Sequence, residues 1–563
     1  MARRVYPVIA SMALLLTAVL TTTGGAGAAA SKPAGSVDVQ LLAINDFHGN
    51  LDPPAGSSGR IGTVNAGGVE YLATHIAQLE ATNPNTLVVS AGDLIGASPL
   101  LSALFHDEPT IEAMNLLGLD FNAVGNHEFD EGAAELLRMQ NGGCHPTDGC
   151  LDGDGFDGAD FRFLAANVVR EDNGKTLFPA YKIRSFAGAK LGIIGIVLEG
   201  TPTIVTPSGV AGLDFRDEAD TVNALVPELQ AKGVNAIAVL IHEGGAQPLP
   251  APYNGCVGIS GPIVDIVNRL DPAVDVVLSG HTHQAYNCAI GNKLVTSGSS
   301  FGRLVTDVGL TINRSSGEVT SMSANNVIVT RDVPLDAGET ALLAEYRALA
   351  TPIANRVIGS ITADVTRTNN AAGESALGDV IADSQLAATA PAGFGEAVAA
   401  FMNPGGIRVD LTYAGSAAGE GDGNVTYGEA FTVQPFGNSL VTMTLTGAQI
   451  DQVLEQQFNN PAPGQNRILQ VSDGFTYTWT ASAPAGSKVD IASIRIDGVP
   501  LDPNASYRIT VNSFLADGGD NFTALIQGTD RLGGAVDLDA LTAYFAANSP
   551  VPPGPQNRIT QAP

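Results

Sequence analysis

The stretch Val39-Gln40-Leu41-Leu42-Ala43-Ile44 runs straight into Asn45-Asp46-Phe47-His48-Gly49. A short apolar run is followed at once by a loop holding an amide, a carboxylate and an imidazole. The same arrangement recurs along the chain. Thr86–Val89 precedes Gly92-Asp93, and Phe121–Val124 precedes Gly125-Asn126-His127-Glu128. Ala236–Ile241 precedes His242-Glu243-Gly244, and Val274–Leu278 precedes Gly280-His281-Thr282-His283. With the further apolar run Leu191–Leu198 and helical stretches between, residues 37 to about 330 read as an α/β domain. The carboxyl ends of strands in such a sheet converge on one edge, where ligands bind. Five polar motifs are therefore expected to meet at one place.

Individually these motifs carry little. A histidine after a strand is usually a hydrogen-bonded loop residue, and Gly-Asp pairs are common. Their joint occurrence in this order carries the reading. Imidazoles, carboxylates and one amide without a thiolate suit a pair of divalent metals of the zinc or manganese type. A carboxylate such as Asp93 is able to bridge two ions. Glycines beside the candidate ligands let the backbone turn sharply and approach closely. Five of the eight histidines fall in the motifs. His75 lies in an expected helix, while His106 and His145 lie in loops without visible partners; none of the three is assigned a function.

At 563 residues the chain exceeds one ordinary core, so at least two domains are expected. Hydrophobic residues at 44% and charged residues at 15% fit packed globular structure. Arg3 and Arg4, the apolar run Val8–Leu20 and Ala28-Ala29-Ala30 form a secretory signal, too short in its apolar part for a membrane anchor. Its removal takes the formal charge from −29 to about −31, because residues 1–30 hold two arginines and no acid. Such a field repels nucleic-acid polymers, and a small anionic substrate would need a local positive centre. No later segment is apolar enough to span a membrane. Four cysteines in an exported chain point to disulfides, with three connectivities open. Cys144–Cys150 with Cys256–Cys288 is the preferred one, the first two being close together in a Gly-rich loop.

Asp107, Pro109, the stripe Ile111, Met114 and Leu117, and Gly118 mark one helix from cap to stop. Leu342, Leu343, Tyr346 and Leu349 fit one face of a connecting helix, and a second domain is expected from about Val357. There Thr446 with Gln449 forms a capping box, and Phe475, Tyr477 and Trp479 alternate as in a strand. The loops at Asp152 and Gly421 lack full calcium-ligand spacing and read as solvated turns.

The five motifs and their order resemble the calcineurin-like metallophosphoesterases. With the long second domain, they resemble in particular the 5'-nucleotidase/UDP-sugar hydrolase family. The resemblance implies a β-sandwich metallophosphoesterase domain flanked by helices, a linker helix and a C-terminal α+β nucleotide-binding domain. The corresponding boundaries are 1–30 for the signal, 31–337, 338–356, 357–555, and a tail at 556–563. It places Asp46, His48 and His283 on one metal, Asn126, His242 and His281 on the other, with Asp93 bridging. His127 matches the catalytic histidine, with Asp130 orienting it. The two ions would acidify a bound water for in-line attack and neutralise the phosphoryl oxygens. In the second domain Asn403-Pro404-Gly405-Gly406-Ile407-Arg408 resembles the family's Asn-Gly-Gly-x-x-Arg loop with a proline added. Phe436, Phe514 and Asp520 stand where relatives sandwich the base and contact the nucleoside. One departure is Gly373, where several relatives carry arginine; Arg367 lies six residues earlier.

The implied activity is a secreted phosphohydrolase acting on nucleoside 5'-monophosphates, with a nucleotide as partner and no nucleic-acid polymer. The alternatives are a 2',3'-cyclic-nucleotide phosphodiesterase/3'-nucleotidase, a UDP-sugar diphosphatase, or a non-catalytic surface binding protein. The last would not need seven metal ligands and His127.

Overall fold

The computed structural model describes residues 35–54, 56–205, 207–248, 251–415 and 418–562; the expected signal at 1–30 lies outside them. The strand Ser36–Ile44 pairs parallel with Thr86–Ser90 and antiparallel with Leu304–Asn313. Phe121–Ala123 and Arg162–Leu164 continue the parallel set, and Val319–Ile328 closes the far edge of this six-stranded sheet. A second six-stranded sheet has Ala189–Val197, Ala236–His242, Val276–Ser279 and Lys293–Gly298 parallel at its centre. Tyr181–Phe186 and Ala285–Ile290 run antiparallel at its edges.

The central strands are apolar almost throughout because both of their faces are covered. Val39, Leu41 and Ala43 pack with Leu191, Ala238 and Leu278 between the two sheets. Leu42 and Ile44, pointing the other way, pack with Leu72 and Ile76 of the helix Val69–Glu80 and with Ile111 and Met114 of Glu108–Leu117. On the second sheet Ile194, Val239 and Ile241 meet Val222 of Glu218–Ala231 and Ile263 of Pro262–Arg269. The domain is thus a β-sandwich with helices on both outer faces. Each fully buried Val, Leu or Ile side chain stabilises it by about 1.5–3 kcal/mol over an exposed one.

The helix from Glu108 stops at Gly118, whose φ of 86° is left-handed as expected. Asp107 occupies the N-cap position but does not cap: its carboxylate accepts from Gly96 N at 3.0 Å and Ser102 Oγ at 2.6 Å instead. The connecting helix is Ala337–Ala354, capped by Asp336. Its buried apolar stripe is Leu343, Tyr346 and Ala350: the last two pack with Phe105, and Leu343 joins the core of the first domain. Leu349, expected on that face, is 40% exposed, since the face is set by packing on Phe105 and not by the apolar residues alone.

The second domain contains a five-stranded sheet around Ser506–Asn512 and a four-stranded sheet around Phe475–Thr480. Thr446 and Gln449 make the expected capping box, and Phe475, Tyr477 and Trp479 all turn inward. The segment expected as a tail supplies a strand: Ile559–Ala562 pairs parallel with Tyr477–Thr480, and Arg558 is held bidentate by Asp383 at 2.6 and 2.8 Å. Both preferred disulfides, Cys144–Cys150 and Cys256–Cys288, are present.

Candidate metal centre and substrate cleft

The seven expected ligands all sit at or just beyond the carboxyl ends of parallel strands. Asp46, His48 and His283 bring one ligand atom each within 4.8 Å of one another, and so do Asp93, His242 and His281. Asn126 Oδ1 lies 3.0 Å from His281 Nδ1. Asp93 joins the two groups, with Oδ2 at 2.9 Å from His242 Nε2 and 3.6 Å from His48 Nε2. Asp46, His48, Asp93, His281 and His283 all have φ between 47° and 71°, a left-handed conformation that non-glycine residues adopt at a cost of order 1–3 kcal/mol each. Strain is therefore gathered where ligands are aimed. At Gly92 (φ 92°) an added Cβ would lie 2.5 Å from the His242 ring, and at Gly125 it would lie 2.2 Å from Asp93 Oδ1. These glycines are close-approach positions.

The donor set fits a pair of divalent cations. His48 Nδ1 faces the Gly96 carbonyl at 2.8 Å and His242 Nδ1 faces the Ala91 carbonyl at 2.8 Å. Each carbonyl fixes a tautomer that leaves Nε2 with its lone pair toward the centre. His48 Nε2 stands 3.2 Å from His283 Nε2, two ring nitrogens pointing at common space. His242 Nε2 is buried without a hydrogen bond of proper geometry, although Asp93 Oδ2 is only 2.9 Å away. Burial lowers His281 to about 4 and His283 to about 3, which keeps both rings neutral. For His242 burial acts to lower the pKa, but the Asp93 carboxylate outweighs it and raises the ring to about 10. A cation would replace that proton.

Around this centre Glu128 is the main brace. Its buried carboxylate accepts from the backbone N–H groups of Asp93, Leu94 and Gly125 and from Asn122 Nδ2, at 2.7–3.0 Å. Two ligand loops are thereby tied to one side chain. His127 donates its backbone N–H to Asp93 Oδ1 at 2.9 Å, and its Nδ1 meets Asp130 Oδ2 at 2.8 Å. Burial opposes protonation of His127, yet Asp130 and then Asp93 hold its pKa above the ordinary histidine value.

The centre opens into a cleft of about 280 Å³ that both domains line. Asn126, His127, Asp130 and His281 come from the first domain, and Asn403, Arg408, Phe436, Phe514 and Asp520 from the second. The Phe436 ring stacks on His127 with centroids 6.0 Å apart and planes 18° apart, and the Arg408 guanidinium lies 5.6 Å over that ring. Asn403 Nδ2 donates to Asp520 Oδ2 at 3.0 Å.

Residues 39–285 match the calcineurin-like phosphoesterase family model, and residues 357–527 match the 5'-nucleotidase C-terminal domain. A cell wall protein of Listeria monocytogenes is 34% identical over 95% of the chain and 69% of its own length. This chain belongs to the 5'-nucleotidase family of calcineurin-like phosphoesterases. It is also 34% identical to the endonuclease YhcR of Bacillus subtilis over 94% of its residues, but spans only 42% of that protein. The crystal structure of a 5'-nucleotidase precursor from Thermus thermophilus superposes with a TM-score of 0.72 at 28% identity, covering 93% of this chain and 99% of the other. The 5'-nucleotidase family consists of metal-dependent phosphoester hydrolases, and the sandwich, linker helix and second domain found here are its architecture.

Against that family pattern the Gly373 departure has a steric cause. Its φ is 92°, and an added Cβ would lie 2.6–3.1 Å from three atoms of Ile468, so no arginine fits without repacking. Arg367 does not line the cleft; its side chain approaches Asp410 and the Ile407 carbonyl. The second guanidinium lining the cleft is Arg467, whose Nη1 donates to Asp520 Oδ1 at 2.5 Å. Sequence reading missed Arg467 because it stands in an irregular segment with no motif. It named Glu128 only as part of a motif, since a carboxylate that accepts backbone N–H groups leaves no pattern.

Proposed function

We propose that the chain is an exported enzyme that removes phosphate from nucleoside 5'-monophosphates, using two divalent ions, zinc or manganese, held by Asp46, His48, His283, Asn126, His242 and His281 with Asp93 shared. The shared cleft carries this reading: one wall presents the proposed metal donors, and the facing wall presents two phenylalanines and two arginines. When bound, the two ions supply neutralisation of the phosphoryl oxygens and a more acidic water. His127, fixed through Nδ1 by Asp130, keeps its other ring nitrogen to hold a proton for the leaving oxygen. General acid catalysis of this kind contributes ~10²–10⁴ in rate. Arg408 faces the phosphate, Phe436 and Phe514 stack on the base, and Asn403 with Asp520 takes the ribose. Stacking is worth about 1–3 kcal/mol per base in comparable sites. Export is supported by the signal pattern in residues 1–30 and by the cell-wall description of the Listeria relative.

A second reading is favoured by Arg467. A second guanidinium in the cleft suits a substrate with an additional phosphate group, such as the diphosphate of a sugar nucleotide. Phosphate release from AMP, UMP, a 2',3'-cyclic nucleotide and a UDP-sugar, with zinc and manganese varied, tests both. The first reading expects the monophosphates to lead by at least tenfold in kcat/KM; a lead for the cyclic or sugar nucleotide would displace it.

A further inference from the structure

Away from the proposed dinuclear centre, two of the three histidines left without a role in the sequence come together. His106 stands between the helices Leu100–Ala103 and Glu108–Leu117. His145 stands in the loop closed by Cys144–Cys150. Their rings stack with centroids 3.8 Å apart and planes 15° apart. Carboxylates flank the stack. His106 Nδ1 is 2.8 Å from Glu131 Oε2 and its Nε2 is 3.0 Å from Asp148 Oδ2, while His145 Nδ1 is 3.4 Å from the same Asp148 oxygen. One ligand atom each from His106, Glu131 and His145 falls within 4.8 Å of the others.

We propose that His106, Glu131 and His145 form a third divalent-cation site, with Asp148 beside it, separate from the two groups joined by Asp93. Two imidazoles and one carboxylate without a thiolate make a borderline three-donor set, the type that holds zinc with a position left open. The donors are also preplaced. His145 and Gly149 exchange two backbone hydrogen bonds, at 2.9 and 3.2 Å, inside the disulfide-closed loop. His106 is held at φ 52° beside Asp107, whose carboxylate is itself bonded to Gly96 N and Ser102 Oγ. The imidazole side chains are only 16% exposed, while Glu131 and Asp148 at 46% and 47% open the cluster to solvent, which gives an ion a way in. Glu131 directly follows Asp130, the partner of His127. A cation here fastens the disulfide loop to the turn that carries the positioning carboxylate.

The competing account is that His106 is a protonated ring shared between two acids. The two accounts separate by metal counting on the full chain. The protein is stripped with chelator, loaded with excess zinc, desalted and analysed for metal. The Asp93→Ala background removes the dinuclear centre from the count. In that background about one equivalent of zinc should persist, and adding His145→Gln should remove it. His145→Gln alone should lower the zinc-induced rise in Tm and leave the Tm of the stripped protein within about a degree of wild type. His106→Gln gives the same loss of metal from the other side of the cluster. Equal zinc content in Asp93→Ala with and without His145→Gln overturns the site, as does loss of all zinc in Asp93→Ala alone.

Discussion

On the first-domain wall of the cleft, Asp46, His48, Asp93, Asn126 and His242 expose 2% or less of their surface. Five of the seven proposed ligands are held in left-handed backbone, the His48 and His242 rings each face a backbone carbonyl, and Glu128 holds the Asp93 N–H. On the facing wall Arg408, Phe436, Phe514 and Arg467 are half-buried and stand on loops and a short helix. Only Asp520 among the named residues there has a positive φ. The contrast separates two tasks. Charge chemistry needs ligands fixed to a fraction of an ångström, and here the backbone provides that. On the proposed function, choice among flat bases and anionic groups falls to side chains on loops of the facing wall.

The largest effect should come from the rigid wall. Asp93→Ala removes the carboxylate that both ligand groups share, and turnover should fall by roughly 10³-fold or more with loss of bound metal. An active, fully loaded Asp93→Ala enzyme would mean the centre is built around a different residue. Next, His127→Ala should retain the metals and lower kcat by ~10²–10⁴. If that variant came out metal-free, His127 would belong with the ligands. Gly125→Ala sharpens the same point without touching a functional group. Its Cβ would meet Asp93 Oδ1 at 2.2 Å, so metal content and activity should both drop while the far wall stays intact. Wild-type metal content in Gly125→Ala would show that the ligand loops are more compliant than the backbone implies.

A smaller effect is expected in the second domain. Gly373→Arg restores the residue that several relatives carry, yet Ile468 occupies the space. It should cost about 1–3 kcal/mol of stability through overpacking, with no gain in nucleotide affinity. Tighter nucleotide binding at unchanged Tm would show that the Arg408 and Arg467 pair does not substitute for it.

The same contrast governs how much the sequence disclosed. The ligand loops were legible because each follows an apolar strand and each repeats glycine, carboxylate and imidazole in a restricted set. The face of the connecting helix was not, because Leu349 and Ala350 differ in which one meets Phe105, a tertiary contact. Asp107 was legible as a helix boundary but not as the acceptor for Gly96, eleven residues away. The stacking of His106 on His145 depends on two loops separated by the helix Glu108–Leu117 and more, so no local spacing encodes it. Arg467 was hidden for a similar reason: its partner Asp520 lies 53 residues on.

The division of labour between the walls is tested most directly by Phe514→Ala assayed on AMP and on a small generic phosphate ester that reaches only the metal centre. KM for AMP should rise by one to two orders of magnitude, about 1–3 kcal/mol, while kcat/KM for the ester stays within about twofold of wild type. Equal loss on both substrates would contradict the account, because Phe514 would then support the fold and not read the base.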